Sequence, residues 1–341
     1  MTERGVYSMN AGDILCRQRG RVMGYAALMV IVYHCFFNVQ SAVGGFLFET
    51  NNKMGVDLFV FLSGFGLALS LNKSTAFPNY FRRRLRRVLP SYYVILACML
   101  PFTIHTLKEL FTFIIPVSIW TGNETLWYVS ASLGYYLLVY VFFLLLKKSR
   151  FPGAVMCLLV ALFALAVPPL LSFMRSEIAL MRIPGLICGV AFGVFYIRRD
   201  AKKQRIADLL LLLLACCGIG IAATKSTFGI LSKREASFLA KNLCAPVYAL
   251  LLALLFDLLD RTPAKFAGRI FDELGKYSLE LYFAHLAIKV FVEKFIVLQP
   301  IALLALLLAA SYPAARVIHW IGRLLLKLWD YIFCCKGKHA A

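Results

Sequence analysis

SLNKSTAFPNYFRRRLRRVLP, residues 70–90, follows the apolar run GVDLFVFLSG of residues 55–64. Five arginines (Arg82, Arg83, Arg84, Arg86 and Arg87) crowd a polar gap between two apolar segments. Lys and Arg beside membrane spans stay on the cytoplasmic side, so the cluster orients everything around it. Guanidinium forks also pair bidentately with phosphate oxygens, so the same loop is a candidate site for a phosphorylated ligand. On charge alone, topology anchoring and ligand binding are equally good readings.

Composition extends this outward. Of 341 residues, 61% are hydrophobic and 16% charged, more apolar surface than a soluble domain of that size buries. The expected fold is therefore all-α, a polytopic membrane helix bundle. The net charge of +20 sits in clusters between apolar runs and is no nucleic-acid signal. Most of the ten cysteines lie within apolar runs and read as small buried hydrophobes, with no CxxC or metal-ligand spacing. Glu3, Arg4, Asp13, Arg17 and Arg19 argue against a cleavable signal peptide.

Ten spans are expected, at about residues 22–39, 55–71, 88–107, 127–146, 153–173, 178–197, 207–223, 242–259, 276–296 and 300–326. Basic flanks at Arg17–Arg21, at 82–87, at 147–150, at 198–205 and at 261–269 put both termini in the cytoplasm. The basic residues Lys225, Lys233, Arg234 and Lys241 fall on a loop that this count places outside. The chain reads as one membrane-embedded domain, 1–341, with a polar tail 1–21 and a basic tail 327–341. No appended soluble domain and no internal repeat is visible.

Ionisable residues inside spans are costly and therefore functional candidates. His34 lies thirteen residues after Arg21, about 20 Å toward the outer face at the helical rise. Asp57 enters the second span from outside at a similar depth, so a carboxylate-oriented imidazole acting as general base is geometrically possible. A lone interfacial His with an unrelated capping Asp is an equally good account. Arg182 needs a carboxylate or phosphate partner unless it snorkels. Ser278, Tyr282 and His285 fall near one face of the ninth span, with Glu280 about 200° from Ser278; polar glue between helices is the plainer explanation. Trp127 and Tyr128 read as interface anchors, and the polar TGNE before them is a weak candidate for an acceptor approach path.

In order along the chain, these patches resemble the acyltransferase-3 family of integral membrane acyltransferases. YAALMVIVYHCFFN is similar to the first-helix motif ending in the family's essential His, here His34. GVDLFVFLSGF resembles its second helix, with Asp57, Ser63 and Gly64. YFRRRLRRVLP resembles the RxxR loop, giving Arg84 and Arg87, with Arg83 beside them. ETLWYVSASLGYYLL (Trp127, Ser130), RIPGLICGV (Arg182, Gly189) and LGKYSLELYFAHLAI (Ser278, Tyr282, His285) are similar to the later blocks. The family usually has an Arg eleven residues before the His. Here that position is Met23, and the nearest arginine, Arg21, is turned about 220° from the His face.

The resemblance implies transfer of an acyl group, most often acetyl, from cytosolic acyl-coenzyme A to a hydroxyl of a cell-surface or lipid-linked carbohydrate, in a bacterial plasma membrane. It implies His34 as base or acyl carrier, Asp57 orienting it, and Arg84, Arg87 and Arg83 on the coenzyme's phosphates, with no permanently bound cofactor and no metal. Ser63, Trp127, Arg182, Ser278, Tyr282 and His285 would be substrate or structural polar residues. Two other classes stay open: a transporter or flippase of a sugar-linked or anionic lipid, for which no inverted repeat is seen, and a catalytically inactive scaffold or sensor, motivated by Met23. The acceptor, the acyl group and the oligomeric state are not legible.

Overall fold

The computed structural model describes residues 11–36, 44–104, 106–121, 126–174, 176–198, 201–224 and 233–334. Its helices run in the order α1 (Ala11–Phe36), α2 (Gly44–Lys73), α3 (Phe77–Thr103), α4 (Leu107–Ile114), a 3-10 turn (Ser118–Thr121), α5 (Trp127–Lys148), α6 (Pro152–Met174), α7 (Glu177–Leu180), α8 (Ile183–Arg198), α9 (Ala201–Thr224), α10 (Lys233–Leu259), α11 (Lys265–Lys276), α12 (Ser278–Phe295) and α13 (Pro300–Cys334). No strand occurs among the described residues. Among the described residues, five segments are long and apolar enough to cross a membrane, namely Met54–Lys73, Trp127–Lys148, Glu177–Arg198, Ala236–Leu259 and Pro300–Tyr331. Shorter apolar helices occupy Pro152–Ala166 and Asp208–Ile221.

Large apolar side chains stay exposed along the outside of α5, α6, α9, α10 and α13, for example Leu137, Leu162, Leu213, Leu251 and Val317. A water-soluble chain would not leave so many uncovered, whereas lipid covers them at no cost. The chain is an integral membrane protein.

At the centre lies α8, buried on every side from Ile183 through Phe195, as expected for a helix apolar all round. It sits tight against α2 because small residues face each other. A Cβ at Gly189 would meet the Phe61 carbonyl at 2.2 Å, and one at Gly64 the Leu186 carbonyl at 2.7 Å. Close backbone approach of this kind is how membrane helices gain packing without a hydrophobic drive. It holds Ser63 and Asp57 of α2 in the interior, facing α8 and its neighbours.

Two segments expected as loops are helical. The arginine cluster is the first half of α3, started by Pro78 in its first turn after the extended Ala76. Nothing between Pro78 and Pro90 breaks a helix, and Arg and Leu favour one. As a result Pro90 is a mid-helix residue rather than the start of a new span. The expected cytosolic linker 261–275 contains the amphipathic α11. The tails 1–10 and 335–341, with Glu3, Arg4 and Cys335, lie outside the described residues, as do 122–125 and 225–232 with Lys225.

Candidate active site

The geometry is clearest at His34, on the last turns of α1. Its Nδ1 is 3.0 Å from the Val30 carbonyl and 3.0 Å from Nε2 of His285 on α12. His285 Nδ1 is in turn 2.9 Å from the Leu281 carbonyl. A carbonyl only accepts, so His285 Nδ1 carries a proton and donates it to Leu281. In the neutral ring Nε2 is then an acceptor, and the proton between the two rings belongs to His34 Nδ1. That leaves a lone pair on His34 Nε2. His285 is fully buried and His34 half-buried, so the less buried member of the pair holds the basic nitrogen.

Asp57 does not orient His34. Its carboxylate is 1% exposed and pairs with Arg182 at 3.1 Å, while Asn242 Nδ2 donates to the same oxygen at 3.3 Å. Arg182 also donates to the Ile178 carbonyl at 2.6 Å, and its guanidinium lies 5.0 Å from the Trp127 ring centre and 5.3 Å from that of Phe238. The expectation matched Asp57 and His34 by depth, but Gly55 packs on Ala26 and Val30, which sets Asp57 about two turns deeper along α1 than His34. Asp57 instead ties α2 to α10 and to the start of α8. Breaking such a buried pair by removing one partner costs about 3–5 kcal/mol.

Between these groups α5 supplies aromatic and hydroxyl groups. Leu126, the only non-glycine residue with positive φ among those described (φ 52°), precedes the helix and costs about 1 kcal/mol or more in that conformation. Trp127 and Tyr128 follow it. Tyr128 has Ser63 and Ser132 as side-chain hydrogen-bond partners, and its ring centre is 5.4 Å from that of Tyr282, which is 5.8 Å from His285. Ser278 is buried at the first turn of α12. Glu280, on another face, accepts from Ser91 at 3.1 Å and from His319 at 3.0 Å.

At the opposite end, the five arginines separate by helical face. Arg84 donates to Ser70 at 2.6 Å and lies over the Tyr80 ring, with its Nε buried and unpartnered. Arg86 is held away, bidentate to Asp330 at 2.8 and 2.6 Å. Arg82, Arg83 and Arg87 are exposed. Arg19 of α1, which sequence reasoning did not single out, joins Arg84 and Arg87. Its Nε donates to the Leu62 carbonyl at 3.2 Å, and its guanidinium lies flat over Gly66, where a Cβ would come within 2.4 Å. Burial first, then Arg87 and Arg84, push its pKa down. Burial likewise lowers that of Arg84, against Tyr80 and Tyr136. Among the described residues Arg19, Arg84 and Arg87 form no ion pair. Three guanidiniums held together without a carboxylate favour an anion among them.

Arg21 takes no part. It bridges Asp260 at 2.6 Å and Asp272 at 2.8 Å, on the α11 side of α1. Arg19 precedes His34 by fifteen steps, which brings it within about 60° of the His34 face. The separation along α1 is about 22 Å.

A family model described as an acyltransferase domain matches residues 24–320. No curated protein and no solved structure matches the chain.

Proposed function

This chain belongs to the acyltransferase-3 family, and we propose that it moves an acetyl group from cytosolic acetyl-coenzyme A to a hydroxyl of a cell-surface or lipid-linked carbohydrate in the plasma membrane. The observation that carries this reading is the separation of two unlike centres along one helix. At one end is a guanidinium cluster with no counter-charge; about 22 Å away is an imidazole with a free basic nitrogen.

Arg19, Arg84 and Arg87 grip the coenzyme's phosphates at the inner face, where guanidinium forks are the favoured partners. The thioester arm runs past Gly66, Ser63 and Tyr128 toward His34. His34 Nε2 takes the proton of the acceptor hydroxyl as its oxygen attacks the thioester carbonyl. The tetrahedral intermediate then expels the coenzyme thiolate, which takes that proton back from His34. Through the step His34 Nδ1–H stays directed at His285 Nε2, which steadies the imidazolium. The role we assign to Asp57 is structural, through Arg182. Arg83, one turn before Arg87 on the same side of α3, stands exposed at the edge of the grip.

Purified protein is expected to hydrolyse acetyl-coenzyme A slowly without an acceptor. Arg84→Ala should weaken coenzyme binding, and His34→Ala should lower turnover by about 10²–10⁴-fold while leaving the fold intact. Unchanged turnover in His34→Ala would sink the mechanism.

A further inference from the structure

A second cationic site lies outside the path just described. The far half of α13 carries Arg316, Arg323 and Lys327 at steps of seven and four, which keeps all three within about 40° on one face. Together with Tyr277, His319, Trp320 and Leu324 they line a cleft of about 380 Å³. Tyr277 closes one side, its ring edge-on to His319 at 5.3 Å.

The charges in this cleft are unspent. Among the described residues none of the three cations forms an ion pair. Glu280 is taken by His319 and Ser91. Glu273, whose carboxylate feels Arg316, is held by Lys276 and Tyr312. Positive-inside placement accounts for Arg323 and Lys327 at a helix end but not for Arg316. Counted from Pro300, Arg316 lies about 24 Å along the helix, inside a hydrocarbon core of about 30 Å. Trp320, 62% exposed, marks the interface one turn further on. From Arg316 toward the membrane centre, Pro313, Ala309 and Leu308 are exposed. The cleft thus offers guanidinium and ammonium groups at headgroup level, with an apolar wall descending from it.

We propose that this cleft binds an anionic phospholipid of the inner leaflet. Its phosphodiester lies among Arg316, Arg323 and Lys327, its glycerol edge meets Tyr277 and Trp320, and its chains descend along Pro313, Ala309 and Leu308. A zwitterionic lipid carries an ammonium that these cations repel. The occupied cleft bridges α13 to Tyr277, at the start of the helix that carries Tyr282 and His285, so the lipid braces the catalytic helix from behind. Arg323 and Lys327 lie beyond the stretch matched by the family model, which ends at residue 320.

The test is native mass spectrometry of the full chain released from micelles containing equal phosphatidylglycerol and phosphatidylcholine. Wild type should retain phosphatidylglycerol preferentially. Each cation near a charged headgroup contributes about five-fold, so R316Q/R323Q/K327Q should lose most of the preference, while R316K/R323K keeps it. All three side chains are exposed, and an unchanged circular dichroism melt would verify that the triple variant is folded. An equal lipid preference in the folded triple variant would overturn the proposal. So would displacement of the bound lipid by stoichiometric coenzyme A, which would make the cleft part of the donor site.

Discussion

Replacing His285 separates the histidine pair from the more usual carboxylate arrangement. In His285→Leu one of the two acceptors for His34 Nδ1–H disappears, while the Leu281 carbonyl keeps its backbone helix partner. His34 remains tethered to Val30 at 3.0 Å, so the ring stays in place but its imidazolium loses its second partner. A hydrogen bond to a charged group contributes about 1.5–3 kcal/mol, and each 1.36 kcal/mol on the barrier is tenfold in rate. The expected loss in kcat is therefore about 10- to 150-fold. His34→Ala removes the base itself and should cost about 10²–10⁴-fold. His285→Gln, whose amide oxygen can accept the same proton, should recover part of the loss. The assay is acetyl-coenzyme A turnover by purified protein, with melting temperature as the folding control. Wild-type kcat in His285→Leu, or no advantage of Gln over Leu, would refute the dyad.

Asp57→Asn leaves Arg182 buried without its counter-charge and should destabilise the protein by about 3–5 kcal/mol, seen as a lowered melting temperature; normal stability with abolished turnover would return Asp57 to the catalytic group. Arg19→Ala should raise the KM for acetyl-coenzyme A about tenfold or more with little change in kcat, whereas Arg21→Ala should leave KM unchanged. Asp260 is held below the usual carboxylate range by Arg21 and then Gln18, and Glu273 by Lys276 and then Tyr312. Folded carboxylates with depressed pKa contribute stability that is complete above their ordinary values and lost as pH falls through the folded ones. Melting temperature should therefore fall as pH drops below about 4, and less steeply in Arg21→Met; equal slopes would contradict the Asp260 assignment.

Much of this was legible before any coordinates. Hydropathy and basic clusters give a helical membrane bundle, and six ordered patches give the family. Depth is readable only where a helix start is known: the sequence matches His34 and Asp57 in height, but α2 begins at Gly44 and its packing on Ala26 and Val30 sets Asp57 about two turns deeper. Which neighbour a side chain faces across a helix interface is not readable, and that decided the partners: His34 met His285, and Asp57 met Arg182. Asn242 was read only as the start of a span. Arg19 left a weak signal in its fifteen-step phase to His34, yet it precedes the matched stretch beginning at residue 24, so the family pattern was silent about it. The arginine-rich stretch was mistaken for a loop because charge was weighed over helix propensity. Once it is helical, the i, i+3 spacing puts Arg84 and Arg87 on the side of α3 that meets Arg19, while Arg86 turns to Asp330.

The central claim is covalent transfer to a surface carbohydrate through His34. Mass spectrometry of surface glycans and lipid-linked sugars from cells expressing wild type or His34→Ala tests it most directly. The account predicts a 42 Da acetyl increment (the mass of C₂H₂O) on a carbohydrate hydroxyl in wild-type cells alone. Identical spectra from the two, with both proteins folded in the membrane, would contradict it.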